Sequence, residues 1–188
     1  MMNTVPESNE SCFAEYLTGL DSLVGSSGRF LKISNDPNPF WLIAYDDVPE
    51  VGDTTAFTFG ISSIRHESWI LGAPELVISM NSKDDDWLLS LGAISACLRG
   101  QCPYSLGDVL RFGKPLSNES HMSAFLVFWP TILKKDQQRL QLSDRLIIFK
   151  QAYPLFESEA ALLEHMSPQD FFMKRCVDYS DVRRTERI

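Results

Sequence analysis

The segment from Asp84 to Gly100 limits what this chain can fold into more than any other. Asp84, Asp85 and Asp86 stand before an apolar stretch in which Trp87, Leu88, Leu91, Ile94 and Leu98 recur at helical spacing. Carboxylates at a helix start satisfy free backbone N–H groups and complement the helix dipole. Gly100, just past the stripe, ends the helix. So apolar a helix face needs a broad apolar surface to lie on, and the sequence supplies strands. Residues 55–61 alternate, with Phe57, Phe59 and Ile61 on one face and Thr58 and Gly60 on the other, the period of a half-buried strand. Further strands are expected at 30–33, 40–45, 75–80, 109–112, 124–129 and 146–153, the last closed by Pro154, with turn chemistry at 36–39. Residues 131–141 are polar and ambiguous.

Helices flank this strand-rich block. Phe13, Tyr16, Leu17 and Leu20 form one helical face, residues 157–166 read as a helix, and Ser167 with Pro168 starts another as N-cap and first helical residue. The pattern implies a mixed sheet with helices packed on it, an α+β or α/β layered domain. Its expected core includes Phe57, Phe59, Ile61, Leu76, Ile78, Trp87, Leu88, Leu91, Ile94, Leu126, Phe128, Ile147 and Phe149. A flexible N-terminus at 1–10, one domain at 11–180 and a charged, mobile tail at 181–188 complete the expected organisation.

Composition narrows the function classes. A formal net charge of -8 over 188 residues argues against nucleic-acid binding, which needs clustered Lys and Arg. It favours solubility and could steer a basic protein partner. No apolar run approaches the roughly 20 residues of a membrane span, and the first residues lack the basic and apolar regions of a signal peptide. A cytoplasmic protein with reduced thiols is expected. Cys97 reads as a small buried helix residue and Cys102 as a loop residue.

The strings of familiar catalysis are missing. No G-x-S-x-G, G-x-G-x-x-G or G-x-x-x-x-G-K-[ST] occurs. His66-Glu67 begins like H-E-x-x-H, but Ile70 stands where the second histidine belongs. Cys97 and Cys102 have no histidine nearby, so no metal and no cofactor are expected.

The order of features resembles the suppressor-of-fused-like (SUFU) domain family. Residues 61–69 (ISSIRHESW) look like the strand before the family's Glu-Leu-apolar strand, which matches PELVI at 74–78. WLLSL at 87–91, YSLGDVL at 104–110 and GKPL at 113–116 follow in order. Residues 122–130 are similar to the central strand, and 147–159 to the last strand, proline and acidic helix start. The resemblance covers roughly residues 55–175; it lacks the proline expected beside Trp87 and any signature at 134–143. It implies a SUFU-like α+β fold, a mixed β-sheet flanked by helices, that binds proteins and is not an enzyme. Bacterial members are associated with toxin–immunity systems, and a single-domain chain implies that role: binding and neutralising a cognate toxin, of which a basic one would suit the charge. Glu67, Trp69, Asp84, Asp85 and Asp86 are the candidate partner contacts, with core packing the competing reading of Trp69. Two alternatives stand beside this: a small enzyme assembled from His66, His121, Glu67 and Cys97, or a structural subunit of a homo-oligomer with an exposed apolar strand edge. Partner identity and oligomeric state are left open by the sequence.

Overall fold

The computed structural model describes residues 7–34, 39–175 and 177–186. Most of the expected turn at 36–39, residues 1–6, Cys176 and the last two residues lie outside that range. The described elements run α1 (Glu7–Val24), β1 (Arg29–Lys32), β2 (Trp41–Asp46), β3 (Thr54–Phe59), β4 (Ala73–Met80), α2 (Asp86–Leu98), β5 (Val109–Arg111), β6 (Ala124–Phe128), β7 (Arg139–Gln141), β8 (Leu146–Leu155), α3 (Glu157–Leu162) and α4 (Pro168–Arg175). The strands form one sheet in the order β1-β2-β3-β4-β8-β6-β5, with β7 also pairing β8. β4 and β8 run parallel, and the other pairings are antiparallel. This is the mixed sheet of an α+β domain. No helix among the described residues is long and apolar enough to cross a membrane.

Three apolar clusters show how the layers meet. On one face, Trp87, Leu88, Leu91 and Ile94 of α2 pack on Leu42, Ala44, Ala56, Leu76, Ile78, Phe125 and Val127. On the other, Tyr16 and Leu20 of α1 pack on Ile43, Phe57, Phe59, Val77, Ile147 and Phe149. Further along, Ala160 and Phe171 of α3 and α4 pack on Ala124, Leu126, Tyr153 and Leu155. Ile147, Phe149, Tyr153 and Leu155 are odd-numbered residues of one strand, so α1 and the α3–α4 pair share a sheet face.

Several expectations need correction. β3 is buried along its whole length, not half-buried, because α2 covers one face and α1 the other. Ile61 belongs to a 3-10 turn at Ile61–Ser63, and 61–69 holds no strand. Every expected core residue is buried except Phe128, which is partly exposed beside α4. β8 runs through Pro154, which pairs with Phe125. β4 pairs with β8 only at residues 147–151, so beyond them a missing N–H breaks no ladder on that side. α3 stops at Leu162, after which the Glu164 and His165 N–H groups turn back three residues to the Ala161 and Leu162 carbonyls, and a new helix starts at Pro168. Ser167 caps that helix as expected, its Oγ accepting the Asp170 N–H at 3.1 Å. The 181–188 tail is not free throughout: Val182 is buried, and Arg184 is held in an ion pair that is itself buried.

Cys97 is exposed, not buried. With Asp86, Leu89 and Ala93 it forms the outer face of α2, opposite the stripe. Cys12 is buried and Cys102 half-buried, and burial raises both thiol pKa values, which disfavours the reactive thiolate. Brief treatment of the native protein with an alkylating reagent is therefore expected to modify Cys97 before Cys102 and Cys12, as read by peptide mass mapping. Modification of Cys12 as fast as Cys97 would contradict the packing of α1.

Candidate functional site

β4 begins with a buried carboxylate that fixes the surface loop before it. Glu75 is fully buried. Its Oε1 accepts the N–H groups of Gly60 and Ser62, both at 3.0 Å, and the Ser62 hydroxyl at 2.7 Å. Its Oε2 accepts the Thr58 hydroxyl at 2.5 Å. Burial pushes the Glu75 pKa up, while these four hydrogen bonds pull against that shift. Gly60 adopts φ 139°, and a Cβ there would meet Phe40 Cδ2 at 2.9 Å, so only glycine brings its N–H to the carboxylate without strain.

The loop at 64–72 is also pinned further on. Trp69 Nε1 donates to the Pro103 carbonyl at 2.9 Å, and its ring lies 5.7 Å from that of His66. His66 Nδ1 accepts the Ser68 N–H at 3.2 Å. Gly72 lies where a Cβ would meet the Leu146 carbonyl at 2.8 Å. Between these fixed points two adjacent aliphatic side chains face water, Ile70 at 89% exposure and Leu71 at 76%. An apolar pair on a restrained loop is presented with little ordering entropy left to lose on binding.

The five sequence candidates do not form one surface. Glu67 is exposed, and Trp69 is half-buried against the α2-side core, so core packing accounts for much of that ring. Both lie towards the C-terminal end of α2, where Gly100 approaches Ile64. Asp84, Asp85 and Asp86 stand at the other end, separated by about 20 Å of helix. Asp84 Oδ1 accepts the Asp86 N–H at 3.0 Å, and its Oδ2 accepts the Ser117 hydroxyl. Asp85 is the N-cap residue but makes no capping bond; its carboxylate holds Arg29 of β1 at 3.0 and 2.5 Å. Of the three, Asp86 is the exposed one. With Leu89, Ala93 and the 112–118 loop it lines a cleft of about 490 Å³.

Two further clefts lie elsewhere. One of about 640 Å³ is lined by Trp129, Lys135, Asp136, Gln138, Arg139 and Ile148. The other, of about 310 Å³, opens over the middle of β8. His66, Glu67, Cys97 and His121 line none of the three. Among the described residues, no group of three His, Cys, Asp or Glu is placed to hold a metal ion. β1, an edge strand, carries Arg29 and Lys32 beside Phe30, and such charges blunt edge-to-edge pairing.

No protein-family profile matches the chain, and no curated protein matches it. Solved structures do. A putative SUFU homologue from Neisseria gonorrhoeae superposes with a TM-score of 0.74 at 16% identity, over 94% of this chain and 96% of that one. The chain has the suppressor-of-fused fold. Drosophila Suppressor of Fused gives a TM-score of 0.69 at 14% identity, over 94% of this chain and 51% of its own. This SUFU-fold chain thus spans about half of the Drosophila protein. A chain of the Sufu–Fu complex gives 0.70 at 14% identity, over 94% of this chain and 91% of its own.

Proposed function

We propose that this SUFU-fold domain is a non-enzymatic protein-binding module of the immunity type, one that holds and neutralises a cognate toxin in the cytoplasm. The observation that carries this reading is the exposed Ile70–Leu71 pair on a loop held by Glu75 and Trp69. Exposed apolar groups on a restrained loop suit a protein partner. The net charge of -8 favours a basic one. The Sufu–Fu complex supports the reading by analogy, since a structural relative is found there in a protein assembly. Glu67, beside the apolar pair, is the proposed rim contact, and Asp84, Asp85 and Asp86 are proposed as a second contact region across α2.

Two outcomes test this. The double variant Ile70→Asp/Leu71→Asp is expected to keep the wild-type melting temperature, because both side chains already face water, and to weaken partner binding by at least about 2 kcal/mol if the pair is a hot spot. Co-expression of the captured partner with this chain is expected to restore host growth, and co-expression with the double variant is not. Growth unaffected by the partner alone would contradict the toxin assignment while leaving protein binding intact.

A further inference from the structure

The cleft over β8 has a chemical character that the 64–72 loop lacks. It lies on the sheet face shared by α1 and the α3–α4 pair. Its floor comes from Ser79 of β4 with Gln151 and Tyr153 of β8; Asp53 stands on one wall, and Phe172 and Tyr179 on another. Gln151 is 3% exposed and Asp53 9%, yet each keeps hydrogen-bonding capacity that the protein does not use. Gln151 Oε1 accepts the Thr131 N–H at 2.9 Å and its hydroxyl at 3.4 Å, which commits the amide orientation. Among the described residues nothing accepts the protons of Gln151 Nε2. The backbone of Asp53 is satisfied: its N–H donates to Glu50, and its carbonyl accepts from Asp47 N–H and Lys83 Nζ. The Lys83 ammonium is directed to the Asp47 carboxylate at 2.8 Å. No described donor bonds the Asp53 carboxylate.

Neither the Asp53 carboxylate nor Gln151 Nε2 is sealed from water, so both polar groups stand open to a ligand that enters the cleft. One ligand can use both, with a cationic N–H group for the Asp53 carboxylate and an oxygen for the Gln151 amide. The rest of the cleft suits such a ligand. Asp178 adds a second, exposed carboxylate; its Oδ1 takes the Ser180 N–H and hydroxyl. The rings of Tyr153, Phe172 and Tyr179 meet edge to face, with centroids 5.0 and 4.9 Å apart, and offer apolar walls to an alkyl chain. A cleft of about 310 Å³ has room for one amino-acid residue.

We propose that this cleft binds a basic amino-acid residue, its guanidinium or ammonium group on Asp53 and its carbonyl or carboxylate oxygen on Gln151 Nε2. The residue is either a free amino acid or part of a protein chain, and the test separates these sources. L-arginine and Nα-acetyl-L-argininamide are titrated into the isotope-labelled protein, following the Gln151 side-chain NH2 and the Asp53 amide by NMR. Saturable shifts are expected with at least one probe. Saturation by free arginine alone identifies a free amino acid, and saturation by the capped amide identifies a residue within a chain. Asp53→Asn is expected to weaken binding at least about tenfold, through loss of a charge-assisted contact. Should Asp53→Asn fail to fold, Asp178→Asn, at the exposed mouth, is expected to weaken binding by a smaller factor, whereas Asp136→Asn, in a different cleft, should leave it unchanged. No saturable shift with either probe, or equal binding by wild type and the cleft variants, overturns the proposal. Because Ile70→Asp/Leu71→Asp leaves this cleft intact, its effect on partner binding is independent of this outcome.

Discussion

Glu75→Leu is expected to lower stability by about 2–6 kcal/mol, since it orphans two buried backbone N–H groups at roughly 1–3 kcal/mol each. Those groups belong to Gly60 and Ser62. The Thr58 and Ser62 hydroxyls lose the same acceptor but can rotate, so they contribute less. For a domain of ordinary stability, about 5–15 kcal/mol, that is a large fraction of the total. Glu75→Gln is the informative contrast. An amide oxygen at the Oε1 position keeps the Gly60 and Ser62 bonds, so the fold should survive with a smaller loss, and the position no longer titrates.

The pH dependence then has a definite sign. Burial raises the folded-state pKa of Glu75 above its ordinary value. The folded protein thus holds a proton that the unfolded chain has released. The stability this contributes is full below the unfolded pKa, about 4.3, and is lost as pH rises through the folded-state value. Relative to Glu75→Gln, the wild type should therefore lose stability as pH rises through that window. Urea unfolding of both proteins across the acidic to neutral range checks this. A constant difference between them would show that the carboxylate titrates alike in both states.

Arg184→Met is the second large effect, about 3–5 kcal/mol, the usual loss when one member of a buried ion pair is removed. Side-chain exposure is 6% for Arg184 and 1% for Glu159. The guanidinium bonds both carboxylate oxygens at 2.7 Å and the Pro154 carbonyl at 2.9 Å, and it lies 5.0 Å from the Phe156 ring and 5.1 Å from that of Tyr179. It therefore fastens the C-terminal segment to the end of β8, where β4 no longer pairs. Truncation strips the buried Glu159 carboxylate of the two charge-assisted hydrogen bonds that this guanidinium donates. The double variant Arg184→Met/Glu159→Met should recover part of the loss, because an apolar replacement removes the buried charge that Arg184 faces. Denaturation midpoints of the three variants read the effect. Additive losses in the double variant would mean that the pair does not act as a unit.

The layers of the fold were legible because apolar periodicity is local. The α2 stripe from Trp87 to Ile94 and the alternation of Phe57 and Phe59 each fix a face without reference to the rest of the chain. Features set by long-range pairing were not legible. Thr58 reads as a solvent-facing strand residue, yet it is buried because β3 lies inside the sheet and its hydroxyl serves a carboxylate seventeen positions on. Cys97 was misplaced because a continuously apolar helix hides its outer face. The same limit applies to the site. Glu67 and Trp69 stand out in the sequence as a charge and an aromatic, while the neighbouring Ile70 and Leu71 are not singled out there, and their exposure is visible only in the structure. An aliphatic pair inside the Ser68–Gly72 loop was the available signal. Asp53, Ser79 and Gln151 come from three separate strands or their ends, and nothing in their sequence spacing brings them together.

The most direct test of protein binding is affinity capture from the native host with wild type and Ile70→Asp/Leu71→Asp side by side. The captured protein is then purified and recombined with each, and the mass of the complex is read by light scattering. A complex of fixed stoichiometry with wild type, lost or strongly weakened with the double variant, is the predicted result. A complex formed equally well by the double variant would contradict the assignment of the 64–72 loop, and the absence of any stoichiometric complex with wild type would contradict the binding function itself.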